Sequence, residues 1–343
     1  MAHEIMTNDV FGEVRKNGRK AWHGLGVEIS DGLTADEAFK EIGLDWETEL
    51  LPIYAAAWNA SNETMKRIKI AGRKLHVRAD LMESNPDDED AQLGVVSDSY
   101  KPISNKQLAA FADMLCGLDA GITVETAGSL RNGKRVYALC KLPKNIEVTD
   151  EDVLVNYVLI VNGHDGHSSF ECYMTSVRVV CANTLRWSAD SAKKRTTFAH
   201  TGDVEAKIED ARRALGIVLS DAQKFEAAVF RMKDKVLSPA ELVDYAVDAA
   251  EASFPSNESK KEEMIGRIIK NMRDDRQMLP GIEDSAWAAY NAVSQYQDHE
   301  RGRGKAKVRE MTPGRVHSNL FGVSDREKTS SFNKANALSM IGV

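Results

Sequence analysis

NGHDGHSSFECYMTSVRVVCANTLRW, residues 162–187, decides how the rest of the chain is arranged. The apolar run VLVNYVLIV (153–161) has strand character and leads into a turn built from Asn162, Gly163, Asp165 and Gly166. A second apolar segment follows and carries Arg178, Asn183, Arg186 and Trp187. Polar groups inside such a run must be satisfied if they are buried. With Val177, Val180, Cys181, Thr184 and Leu185 at three- and four-residue steps, the spacing predicts a helix from about Ser176 to Trp187. On that helix Arg178, Ala182 and Arg186 would form a stripe open to a phosphate or carboxylate. The same two arginines could instead pair with acidic residues of the chain and fix its packing.

Upstream, Thr34 to Glu37 gives a T-x-x-E capping box, so a short helix is expected to run to about Ile42 before Gly43. LDWETELLPIYAAAW (44–58) follows as a strand interrupted near Pro52. Lys66, Arg67, Lys69, Arg73, Lys74 and Arg78 then surround Ala71-Gly72, which predicts a basic hairpin turning there. Period-2 alternation puts Arg67 and Lys69 on one face, with Ile68 and Ile70 on the other toward a core. Such an edge suits phosphate contact, and equally protection against edge-to-edge aggregation. SNPDDED (84–90) is an acidic turn, LGVVSDSY (93–100) a strand, and Asn105–Leu118 an amphipathic helix with Leu108, Phe111, Ala112 and Leu115 inward. ITVETAGSL and RVYALCKL close a second hairpin through Asn132-Gly133, with Arg131, Lys134 and Arg135 at its tip. These elements describe an α+β fold: an antiparallel sheet of hairpins with packed helices, over residues 1–200.

SADSAKKRTTF (188–198) places Lys193, Lys194 and Arg195 in a loop, and beyond it the pattern changes. Val204, Ile208, Ala211, Leu215, Val218, Ala222, Phe225, Val229, Met232 and Val236 alternate four- and three-residue steps, the seam of one long helix. Its expected partner is a helix opening at S-P-A-E (238–241), or another copy of the chain. Helices near 259–276 and 284–298 complete a helical region over 201–300; the second places Trp287, Tyr290, Val293 and Tyr296 on one side, as core or as a stacking platform. RGRGKAKVRE (301–310) opens a basic, partly flexible tail over 301–343, with a short helix expected near 331–341.

At 343 residues the chain exceeds the size at which single cores stop growing, roughly 250–300 residues. Hydrophobic residues make up 43% and charged residues 28%, ordinary for a soluble globular protein. No apolar run is membrane-length and no secretory leader precedes the chain, so the expectation is a host-cell cytoplasmic protein without a membrane partner. Cys116, Cys140, Cys172 and Cys181 are scattered and form no CxxC, which argues against a disulfide scaffold or a cysteine-rich zinc site. No P-loop, dinucleotide fingerprint, nucleophile elbow or H-E-x-x-H is present, so no cofactor, catalytic residue or nucleotide hydrolysis is expected. His164 and Asp165 are the candidate metal ligands, with Asp298-His299, although their spacing matches no standard finger.

RVVCANTL (178–185), preceded by GHDG (163–166), resembles the signature of the phage- and plasmid-borne family catalogued as domain of unknown function 932. AWHGLG (21–26), LGVVSDSYKPISN (93–105) and WAAYNAVSQYQDH (287–299) resemble its other blocks in the same order. His167 departs from the small residue of the family pattern, which argues against it as a required ligand. The resemblance implies a mobile-element setting and, more distantly, a likeness to phage single-strand annealing proteins. A net charge of −7 excludes a uniformly basic coat but leaves room for a local cationic trough. The expectation is therefore a single-stranded nucleic-acid-binding, homo-oligomeric protein that anneals strands without hydrolysing nucleotides. Lys66, Arg67, Lys69, Arg73, Lys74, Arg131, Lys134, Arg135, Arg178, Arg186, Lys193, Lys194 and Arg195 would hold the backbone. A host-interaction or anti-defence protein and a metal-dependent hydrolase are the competing readings.

Overall fold

A computed structural model describes residues 11–14, 27–30, 32–59, 64–85, 89–118, 121–168, 170–178, 183–186, 204–274, 279–302, 318–319 and 322–341. The Lys193, Lys194 and Arg195 cluster, the AWHGLG block and the cations from Arg303 to Arg309 lie outside them. The fold is α+β: antiparallel sheets followed by a helical C-terminal region.

The larger sheet runs β11 (Asn183–Arg186), β10 (Glu171–Arg178), β9 (Val153–Gly163), β7 (Arg135–Lys141), β6 (Thr123–Leu130), β1 (Phe11–Val14), β2 (Val27–Ile29), with β8 (Ile146–Glu147) alongside β9. Its pairings are antiparallel except β1 with β2. The continuous apolar run at 153–161 arises because β9 is buried on both faces. Val158 and Ile160 join one core cluster, while Leu159 and Val161 join a second with Tyr137, Leu139 and Val177. The smaller sheet is β3 (Thr48–Asn59), β4 (Thr64–Arg78) and β5 (Gln92–Ser97).

Helix α1 (Ala35–Glu41) starts at the expected box: Glu37 N–H donates to Thr34 Oγ1 at 3.2 Å and Thr34 N–H to Glu37 Oε2 at 2.9 Å. After the short α2 (Ala79–Ser84), α3 (Asn105–Leu118) buries Leu108, Phe111, Ala112 and Leu115 as its periodicity requires. The turn at 131–134 has Arg131, Asn132 and Gly133 at φ 59°, 56° and 86°, the left-handed conformation that Asn-Gly tolerates.

The heptad segment is α4 (Val204–Asp234), and Leu215, Val218, Phe225, Val229 and Met232 are buried. Its seam meets α8 (Val323–Met340), α7 (Ala286–Gln295), α3 and β10, with Phe225 stacked on Phe332 at 5.4 Å. The helix opening at Ser238, α5 (Pro239–Ser253), packs mainly on α6 (Glu258–Asn271) instead, so the expected α4–α5 pairing is corrected. Val236, the last heptad position, falls beyond the helix and is 66% exposed. Trp287, Tyr290, Val293 and Tyr296 are all buried, which makes that stripe core and not a stacking platform. The helix expected near 331–341 begins earlier, at Val323. One apolar cluster extends from Ile29 to Ala335 and joins sheet and helices. Among the described residues no helix is long and apolar enough to cross a membrane.

The helix predicted over 176–187 does not form. Residues 171–178 and 183–186 are antiparallel strands, with Arg178 opposite Asn183 and Arg186 opposite Thr175. The edge of β9 supplies a ladder for eight residues of β10, and that non-local pairing overrides the helical spacing.

Candidate nucleic-acid interface

The most basic segment builds a long two-stranded ribbon. β4 is one continuous strand of 15 residues, so the turn predicted at Ala71-Gly72 is corrected. Gly72 does take a positive φ of 75°, but within a bulge: Pro52 pairs with Lys74 and Tyr54 with Lys69, leaving residues 70–73 opposite Ile53 alone. Beyond it the register is Ala55 with Ile68, Ala56 with Arg67, Ala57 with Lys66, and Trp58 with Met65.

Directly opposed residues share a face. Tyr54, Trp58, Met65, Arg67 and Lys69 therefore line one side of the ribbon, and Ala55, Ala57, Lys66 and Ile68 the other. The alternation of Arg67 and Lys69 against Ile68 is as expected, but neither side reaches a core. Every residue from Thr64 to Arg73 is exposed, including Ile68 at 48% and Ile70 at 40%. Because 70–73 bulge out, these ten residues lie opposite the seven from Ile53 to Asn59, which at about 3.3 Å per residue reach roughly 23 Å. Tyr54 and Trp58 are 45% and 62% exposed, and the Arg67 guanidinium lies 4.8 Å from the Tyr54 ring centre. Spacing of four in a strand sets both aromatics of LPIYAAAWN on one face, a signal that the sequence carries beside the more conspicuous basic residues.

The root of the ribbon is rigid. Arg78 is buried, lies 4.5 Å from the Trp46 ring centre, and donates to both oxygens of Asp80 at 3.1 and 2.6 Å. The 131–134 turn packs here too, since a Cβ on Gly133 would stand 2.7 Å from the Trp46 ring. Asn132 donates to Asp90 at 2.7 Å, and Arg135 donates to Ser168 Oγ at 3.1 Å. Arg131, Lys134 and Arg135 are thus half-buried at the foot of the ribbon, not free at a hairpin tip. Lys66 to Lys74 and Arg131 to Arg135 share this end of the molecule. Arg178 does not: it pairs with Leu154, nine residues along β9 from the Gly163 opposite Arg135, or roughly 30 Å away.

The GHDG turn acts as the bracket. His164 is fully buried; its N–H donates to the Lys134 carbonyl at 2.9 Å, and its own carbonyl accepts from His76 Nδ1 at 2.8 Å. Asn105 spends its amide nitrogen on the Leu44 carbonyl, so its Oδ1 accepts from His164 Nε2 at 2.9 Å. The carboxylate of Asp165 accepts from the backbone of His167 and Ser168 at 2.9 and 2.7 Å. Gly94 of β5 passes so near Asp165 that any side chain there would strike its carbonyl group. These contacts make the polar residues of 162–168 structural: they clamp β4, β5 and α3 together. His164 and Asp165 are committed to that clamp, and among the described residues no group of three or more His, Cys, Asp or Glu is arranged to hold a metal.

Burial lowers the pKa of His76 and holds that of His164 down to about 3, against an ordinary 6.5. His76 Nε2 and His164 Nδ1 are buried without partners, so a proton on either would have no acceptor. Because the unfolded chain binds these protons first, stability is intact above pH 6.5 and falls as pH drops from there toward 3. At about 1.4 kcal/mol per pH unit, His164 alone should remove about 2 kcal/mol between pH 7 and pH 5. Urea unfolding at the two pH values measures this, and His164→Gln should flatten the difference.

No curated protein and no solved structure matches the chain. The ribbon, Thr48–Arg78, precedes the region of family similarity, whereas the strand and turn that clamp its root fall inside it. Residues 92–333 match the family described as Domain of unknown function (DUF932), more than half of the chain, and the protein belongs to that family.

Proposed function

We propose that the protein binds single-stranded nucleic acid along the β3–β4 ribbon. The observation that carries this reading is the face on which exposed Tyr54 and Trp58 alternate with Arg67 and Lys69. Aromatic rings accept unstacked bases of any sequence, and neighbouring cations hold the phosphates, so binding is sequence-tolerant and salt-sensitive. Lys66, Arg73 and Lys74 add positive charge along the same strand, with no acidic residue between Thr64 and Arg78. Arg131, Lys134 and Arg135 contribute at its foot, while Arg178 and Arg186 leave the proposed site because of their distance along the sheet. Annealing of complementary strands, in a phage or plasmid setting, is the activity that a projecting sequence-tolerant ribbon would serve. It needs no nucleotide hydrolysis.

Fluorescence anisotropy with a labelled single-stranded oligonucleotide across a salt series tests the reading. With Lys66 on the opposite side, four ribbon cations on phosphates give an expected log–log slope of about −2.8 for a single strand. No binding at low salt would end the proposal. Exposed Met65, Ile68 and Ile70 would then favour the second reading, in which the ribbon docks on a host protein.

A further inference from the structure

We propose that the outer edge of β3 pairs antiparallel with the same edge of a second copy, giving a four-stranded sheet in the order β4-β3-β3-β4. This goes beyond nucleic-acid binding and does not depend on it. The two edges of the ribbon differ in their protection. The free edge of β4 carries Lys66, Arg67 and Lys69 and ends at the bulge at 70–73, where Arg73 begins to pair with Ser97 of β5; charge and bulge are the usual protections against strand addition. β3 has no charged residue from Leu50 to Asn59 and no proline after Pro52. Among the described residues it is hydrogen-bonded only through β4. A ribbon exposed on both faces is marginal by itself in water, so its unprotected edge calls for a partner.

Charge selects the partner. Joining two ribbons through β4 would set two cationic strands about 4.8 Å apart, whereas joining through β3 separates them by three strand spacings, about 14 Å. That exceeds a Debye length of roughly 8 Å at physiological salt, so the repulsion is screened. The contact is isologous, because one uncharged strand meets its own copy about a two-fold axis. An axis perpendicular to the sheet keeps both copies of the Tyr54, Trp58 and Arg67 face on the same side, doubling one continuous surface. The α4 seam is no alternative over its described length, since Leu215 to Met232 is spent inside the chain.

Analytical ultracentrifugation of the full chain without nucleic acid, over a concentration series, should show a species of twice 37.9 kDa. Ala56→Pro and Ala57→Pro remove N–H groups pointing to opposite edges, so at least one should abolish the dimer while the midpoint of thermal unfolding holds. Arg67→Glu with Lys69→Glu should leave the dimer intact while removing oligonucleotide binding, which separates failure of this proposal from failure of the previous one. A monomer at every concentration overturns the pairing. So does a dimer that survives both prolines, or one lost only with the β4 charges.

Discussion

Replacing Tyr54 and Trp58 together by alanine is expected to weaken oligonucleotide binding by about 2–6 kcal/mol, at about 1–3 kcal/mol for each stacked base. Both rings lie exposed on a ribbon outside the core, so the unfolding midpoint should stay unchanged. This uncoupling distinguishes a binding face from packing. Anisotropy and thermal unfolding on the same preparation check it: unchanged affinity removes the rings as a base platform, while a lowered midpoint assigns them to stability. Residual binding in the double variant should keep most of the salt slope, since the phosphate contacts remain.

The second large effect is expected far from the ribbon. Lys328 of α8 and Asp298, in the π-turn at Tyr296–Glu300 after α7, form an ion pair at 2.7 Å with both side chains fully buried. Replacing Lys328 with Met leaves a carboxylate in the interior, which should lower unfolding free energy by about 3–5 kcal/mol. Replacing both partners with apolar residues of similar size should recover most of the loss, because the expense lies in the buried charge that has lost Lys328 and not in the pair. Urea midpoints of the single and double variants decide this. A small loss in the single variant would mean that water or the other neighbours of Asp298 hold its charge. The pair also explains why α8 is secured: Lys328 and Phe332, one turn apart, dock it onto α7 and α4.

Features governed by neighbours in the chain were legible. The boxes at Thr34 and Ser238, the left-handed turn at Asn132-Gly133 and the inward faces of α3 and α4 follow from contacts within one or two turns. Ala71-Gly72 reads as a hairpin turn and is not one: the positive φ of Gly72 serves a bulge within a continuous strand. Of the candidate site, Lys66 to Lys74 stood out by charge, whereas Tyr54 and Trp58 were hidden because exposed aromatics look like core residues until a strand is known to lack a covering layer.

Charge, periodicity and capping residues determined by themselves that this is an α+β chain with hairpin sheets, one long seam helix and a strongly cationic segment near residue 70. Tertiary structure alone decided that residues 171–178 and 183–186 are strands, because the edge of β9 offered the first of them backbone hydrogen bonds that no local pattern encodes. It also decided which cations stand together, bringing the 131–135 turn to the foot of the ribbon and sending Arg178 to the far end of the sheet. Residue type and spacing carry local torsional preferences, but the positions of separate charges depend on strand pairings between distant parts of the chain.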